Sequence, residues 1–265
     1  MMHAAEMKDW LEAQYERLNR RRYVHPDPLE CLYGYDHPED REIVALIAAS
    51  LAYGQVRQIL KSVFDLLGRL GASPCDYLMS ETSERIYRDM SGFVHRFARD
   101  CHVTALLAGI QKVLSEHGSL HQCFTKCMSK EDATVFPALC RFAGALQNDC
   151  AYGSPGHLLA CPEKGSACKR MNLFLRWMVR EDRVDPGGWF EIPAAKLIVP
   201  LDTHMFPLCR SLGLTLRNQA NMKTAIEITQ AFRQWVPEDP VKYDFTLSRF
   251  GIRKELSQAA MQYFS

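Results

Sequence analysis

The sequence predicts an all-α protein, and three observations lead there. Apolar residues recur with the 3.6-residue period in successive segments. The one β-like stretch, Lys196 to Val199, is only partly β-branched and ends at Pro200, which argues against a sheet. The composition, 47% hydrophobic and 24% charged over 265 residues, is that of a globular chain able to bury a sizeable core.

Taken in order, Leu11, Tyr15 and Leu18 predict an N-terminal helix that runs into the basic triplet Arg20, Arg21, Arg22. Ile43 to Tyr53 is the longest apolar run. Val56, Ile59, Leu60, Val63, Phe64, Leu67 and Leu70 then form one apolar stripe that stops at Gly71, where a helix C-terminus is expected. The same spacing recurs from Val103 to Leu114 before Gly118, and from Val135 to Leu146. Ala225, Ile228, Phe232 and Trp235 predict a further helix ahead of Pro237. Between these runs, 148–165 is rich in Gly, Pro, Ser and Cys, and 181–200 carries Pro186, Gly187, Gly188, Pro193 and Pro200, so both read as loops. At this length one large domain or two packed lobes are possible. The expectation is a single unit over 1–265, with lobes at 40–147 and 166–255 beside the N-terminal helix, joined by 148–165.

Composition also excludes some function classes. The longest apolar run falls far short of the roughly 20 residues of a membrane span, so no membrane association is expected. The start of the chain lacks a basic and then apolar leader, and the ten cysteines have no framework spacing. Both point to the cytoplasm, with buried thiols rather than disulfides. A net charge of +1 means that nucleic-acid binding would need a local basic face. His121, Cys123 and Cys127 have helical ligand-type spacing but no evident fourth ligand, so they read as structural and no metal site is expected.

Two segments carry residues suited to chemistry. In Gly165-Ser166-Ala167-Cys168-Lys169-Arg170, a helix start places Lys169 where unpaired backbone N–H groups disfavour an ammonium, and an amine must shed its proton to become a nucleophile. A solvated lysine at a helix start is the plain alternative. In Pro200-Leu201-Asp202-Thr203-His204-Met205, Asp202 precedes an apolar-periodic run and is placed to cap a helix, which keeps a carboxylate ionised and rigid. Capping alone would explain Asp202, and His204 reads equally as a core or surface residue.

The string from Val199 to Phe206, followed by Cys209-Arg210 and Leu212-Gly213-Leu214, resembles the Val-Asp-Thr-His segment of helix-hairpin-helix DNA glycosylases of the endonuclease III type. Ile43 to Leu70, with Gln55 between two apolar runs, resembles that superfamily's early helix pair, and Tyr243 to Ile252 resembles its closing helix. Lys169 and Asp202 stand 33 positions apart, an interval that resembles the archaeal 8-oxoguanine glycosylases. The strings Lys169 to Arg180, Val184 to Trp189 and Asp239 to Phe245 resemble most closely an uncharacterised bacterial family (DUF2400-like) grouped with this fold.

The resemblance implies a two-lobed helical DNA-glycosylase fold with the active site in the cleft between lobes. It implies base-excision repair of an oxidised purine, with lyase activity through a Lys169 Schiff base and Asp202 stabilising positive charge on the sugar. It further implies damaged double-stranded DNA as the partner of a monomer. Gln55 would fill the space of an extruded base. Lys164, Gly165 and Ser166, in a hairpin that keeps one glycine before the helix, would dock a phosphate together with Arg170 and Arg176, while His204 and Tyr243 would line the pocket. No cysteine follows Cys209, so the iron–sulfur cluster of endonuclease III is absent and no cofactor is expected. A non-catalytic nucleic-acid-binding protein and an enzyme acting on RNA or nucleosides are the competing expectations.

Overall fold

The computed structural model describes residues 4–147, 151–160 and 162–252. The chain is mostly helical, as expected. Helix α1 (Ala4–Leu18) is followed by the 3-10 turns Arg21–Tyr23 and Pro28–Gly34, then by α2 (Pro38–Ser50) and α3 (Val56–Leu70). Two short helices, α4 (Pro74–Ser80) and α5 (Ser83–Asp89), start at Ser73 and Thr82, whose side chains accept the Asp76 and Arg85 N–H groups. After a small hairpin come α6 (Asp100–His117), α7 (Leu120–Cys127) and α8 (Phe136–Leu146). Helices α9 (Lys169–Val179), α10 (Met205–Ser211), α11 (Met222–Arg233) and α12 (Asp244–Ile252) complete the described chain. No helix among the described residues is long and apolar enough to cross a membrane.

The helix stops fall where the sequence puts them. Gly71 at φ +79° ends α3 and Gly118 at φ +85° ends α6, a conformation that costs glycine little. The stripe on α3 buries Ile59, Leu60, Val63, Leu66, Leu67 and Leu70. Phe64 departs from it and stands 52% exposed on the outer face. The buried side chains join in one cluster extending from Met7 to Phe250.

Helix α2 lies in the middle of this cluster, against α3, α9 and the Pro28–Gly34 turn, and is buried continuously from Glu42 to Ser50. Its carboxylates are spent on other elements. Asp40 accepts from Ser73 Oγ and from the Cys75 N–H at 2.8 Å, fixing the start of α4. Glu42 accepts the Leu120 and His121 N–H groups at 2.6 and 3.0 Å and the Trp189 indole N–H at 3.0 Å, tying α2 to the start of α7 and to loop 181–200. Glu42→Ala strands three buried donors, and we expect a loss of about 2–3 kcal/mol or more. Urea unfolding followed by tryptophan emission checks this, and a loss below about 0.5 kcal/mol contradicts it.

One local expectation is corrected. A two-stranded antiparallel hairpin exists: β1 (Val94–His95) pairs with β2 (Ala98–Arg99). Its turn contains neither Gly nor Asn but Arg96 at φ +53°, so the usual turn signal was missing. Lys196 to Val199 pairs with no strand; Val199 is buried, with its N–H bonded to Thr229 Oγ1. His121 stacks on Trp189 and pairs with Glu191.

Candidate active site

Cys168, at φ +46°, turns the chain sharply into α9, so that Lys169 occupies the first helical position. At α10 the local signal also holds. Asp202 Oδ1 accepts the N–H groups of His204 and Met205 at 2.9 and 2.7 Å, and its carbonyl accepts that of Phe206. This leaves Oδ2 free to face outward. It meets Lys169 Nζ at 2.9 Å.

The two residues that sequence reasoning paired across 33 positions are therefore in contact. Both line a cavity of about 640 Å³, within the roughly 300–1,000 Å³ of small-molecule sites. They are 34% and 22% exposed, open enough for a ligand to reach and enclosed enough for electrostatics to matter. Burial pushes the Asp202 carboxyl up. The Lys169 charge and the Met205 and His204 N–H groups outweigh this, leaving the carboxyl below its ordinary range.

The cavity draws its walls from distant segments. Pro26 to Pro28 and Ala52 to Gly54 face Lys169, Leu173 and Trp177 of α9, with Leu201 to Met205 and residues of α12 closing the rest. Beneath it lies a chain of buried charges. Asp244, at the start of α12, is bonded to Arg176, which also pairs with Asp185 at 3.1 Å. Arg180 binds Asp185, Asp182 at 2.9 Å and Asp239 at 2.9 Å. Burial, reinforced by the Asp202 charge, holds the Asp244 carboxyl above its ordinary range despite Arg176.

Several predicted contacts are taken up by other partners. Arg176 was expected to reach a phosphate, yet it is 3% exposed and consumed by two carboxylates. Arg180, one turn further on, is similarly enclosed. Tyr243 is buried, and its hydroxyl donates to Glu12 at 2.7 Å. Arg170 serves as a staple: it donates to the carbonyls of Ser50 and His157 and lies over the Tyr53 ring, 5.2 Å from its centroid. Trp189 packs with Phe124, Phe142 and Phe174, away from the cavity, while Trp177 is buried and contributes to its lining.

The remaining predicted residues lie at or near the rim. His204 is exposed and lines the cavity. Gln55 is exposed just before α3, between two lining residues, Gly54 and Val56. Gly165 and Ser166 are exposed beside Asn221, whose neighbour Met222 donates its N–H to the Gly165 carbonyl. Lys164 ends the 3-10 turn Pro162–Lys164, but its side chain lies outside the described residues, as do 148–150 and 161 in the expected lobe linker and 253–255 at the end of the second lobe.

Sequence reasoning missed Tyr53. Its hydroxyl donates to the His95 carbonyl and meets His157 Nε2 at 2.9 Å, while its own carbonyl accepts from His95 Nε2 at 3.2 Å. Burial raises the Tyr53 phenol and lowers the His95 and His157 imidazoles, so this wall is held by neutral groups. A tyrosine between an apolar helix end and a glycine was the only local sign. Among the described residues no group of three or more His, Cys, Asp or Glu comes together as metal ligands would.

Residues 27–253 match the model of a family described as protein of unknown function (DUF2400). No curated protein matches the chain. No solved structure does either.

Proposed function

Because the chain belongs to this DUF2400 family over nearly its whole length, its activity has to be argued from its own residues, and we propose that it excises damaged bases from DNA as a glycosylase with lyase activity. One observation carries the reading: an amine and an ionised carboxylate 2.9 Å apart on the wall of a nucleoside-sized cavity. The resemblance of the Asp202 segment and of the α2–α3 region to helix-hairpin-helix glycosylases supports it, and the oxidised purines of that superfamily are the substrate class proposed.

The chemistry follows from the pair. Departure of a base from C1′ leaves positive charge on the deoxyribose, which the Asp202 carboxylate, anchored by two N–H groups, would stabilise without reorganising. Lys169 Nζ, once its proton has passed to Asp202 or solvent, bonds to C1′ as the glycosidic bond breaks and its electron pair leaves with the base. Passage of a proton from Nζ to O4′ as the C1′–O4′ bond breaks opens the ring and leaves an iminium between Nζ and C1′, which acidifies C2′. The C2′ proton passes to solvent, and the electron pair left behind expels the 3′ phosphate as the C3′–O bond breaks.

Borohydride reduction tests this directly. Incubation with single strands and duplexes that carry an abasic site or an oxidised purine should leave a covalent protein–DNA adduct, and absence of an adduct on every such DNA overturns the reading. Asp202→Asn keeps the capping oxygen but removes the charge. Single-turnover base release should fall about 100-fold or more, and equal rates remove Asp202 from the chemistry.

A further inference from the structure

A second cavity, of about 460 Å³, lies on the neighbouring face of α3. Gln58, Lys61, Ser62 and Asp65 line one side, and the hairpin supplies His95 and Arg96 on the other. One layer of side chains divides it from the first cavity. Tyr53 and His95 meet ring to ring at 4.7 Å, and Arg96 lies over Gly54 so closely that a Cβ there would stand 2.7 Å from Arg96 Cδ. Tyr53 and Gly54 line the first cavity, His95 and Arg96 the second.

Charge and exposure on this face point to a ligand. Arg57, Lys61, Arg96 and Arg99 are exposed, and none makes an ion pair among the described residues. The cavity's one acid, Asp65, is taken by Arg69 at 3.0 Å. Phe97 is 72% exposed at the hairpin turn, with Phe64 and Val94 each 52% exposed nearby. The hairpin places Arg96 in left-handed backbone, where glycine would be cheaper by roughly 1 kcal/mol, yet the side chain there reaches over the wall of the first cavity.

We infer that this groove holds an unpaired DNA strand leading to the first cavity, with Lys61 and Arg96 on a phosphate and Phe97 stacked on a base, so that single-stranded DNA binds more tightly than duplex. The inference rests on the excision reading and adds the strand state of its substrate. An exposed ring needs a free base face, which a duplex offers only where it is opened. Lys61 and Arg96 in the lining, with Arg57 one turn from Lys61 on α3 and Arg99 opposite Val94 in the hairpin, suit a short single-strand track with a salt slope of at most about −3, whereas a duplex-gripping surface commonly engages about 6–10 phosphates.

The test uses the wild-type chain with an undamaged, fluorescein-labelled 15-nucleotide strand, alone and annealed to its complement, followed by anisotropy. The single strand should bind at least about tenfold more tightly. Phe97→Ala should weaken it by about 5- to 100-fold, the worth of one stacked base, while Phe97→Trp restores it. Joint replacement Lys61→Gln and Arg96→Gln should flatten the salt slope by about 1.4. Tighter binding of duplex, tighter binding of the matching RNA strand, or no effect of Phe97→Ala overturns the inference, as does failure to bind either DNA. Borohydride trapping separates the two ideas. Duplex preference with a trapped adduct discards the groove and keeps the excision reading, whereas Phe97-dependent strand binding without any adduct does the reverse.

Discussion

Lys169→Ala is expected to yield no borohydride adduct on a DNA substrate that the wild-type chain cross-links, because the variant has no nitrogen at the position facing Asp202 Oδ2. The fold should hardly register the change. A partly exposed ion pair contributes only about 0–1 kcal/mol, and Asp202 keeps the His204 and Met205 N–H groups as partners. Loss of the adduct should therefore come with an unfolding midpoint close to wild type. Trapping at wild-type yield would show that another amine attacks. Lys169→Arg sharpens the test, since it keeps a cation beside the carboxylate but offers no usable nucleophile, and it should trap as poorly as alanine.

The second large effect concerns stability. Asp185 is fully buried between Arg176 and Arg180. Asp185→Ala leaves both guanidinium groups short of compensating charge, and breaking a buried pair from one side costs about 3–5 kcal/mol. At a urea slope near 2–3 kcal/mol per molar, the midpoint should fall by roughly 1–2 M. A midpoint within about 0.2 M of wild type would mean that Asp244, Asp182 and Asp239 suffice for the two arginines. The damage should also reach the cavity above, because Arg176 binds Asp244 beneath the Lys169–Asp202 pair.

What could be read in advance divides along the range of the interactions involved. The apolar stripe of α3, its stop at Gly71 and the run before Gly118 are written locally, and the helices end there. The first-turn position of Lys169 and the capping by Asp202 are also local, which is why both roles were legible. Their contact was expected only through resemblance, since spacing alone places nothing 33 residues away. Arg176 and Arg180 show the opposite case. Nothing near them along α9 announces Asp185, Asp239 and Asp244, which arrive from other segments and turn Arg176 from an expected phosphate contact into a buried partner of carboxylates. The hairpin escaped notice because strands of two residues are too short for alternation to show, and because its left-handed position is filled by arginine.

Arg170 sets the aim of its neighbour. Its guanidinium grips the carbonyl at the end of α2 and another in the 156–158 turn, so the start of α9 is registered against two backbone points outside its own helix. The direction of the Lys169 amine is thus governed from across the molecule. Lengthening or tightening the turn at His157 would swing the amine relative to Asp202 while leaving both residues unchanged, which makes that turn a remote adjustment for the reactive pair.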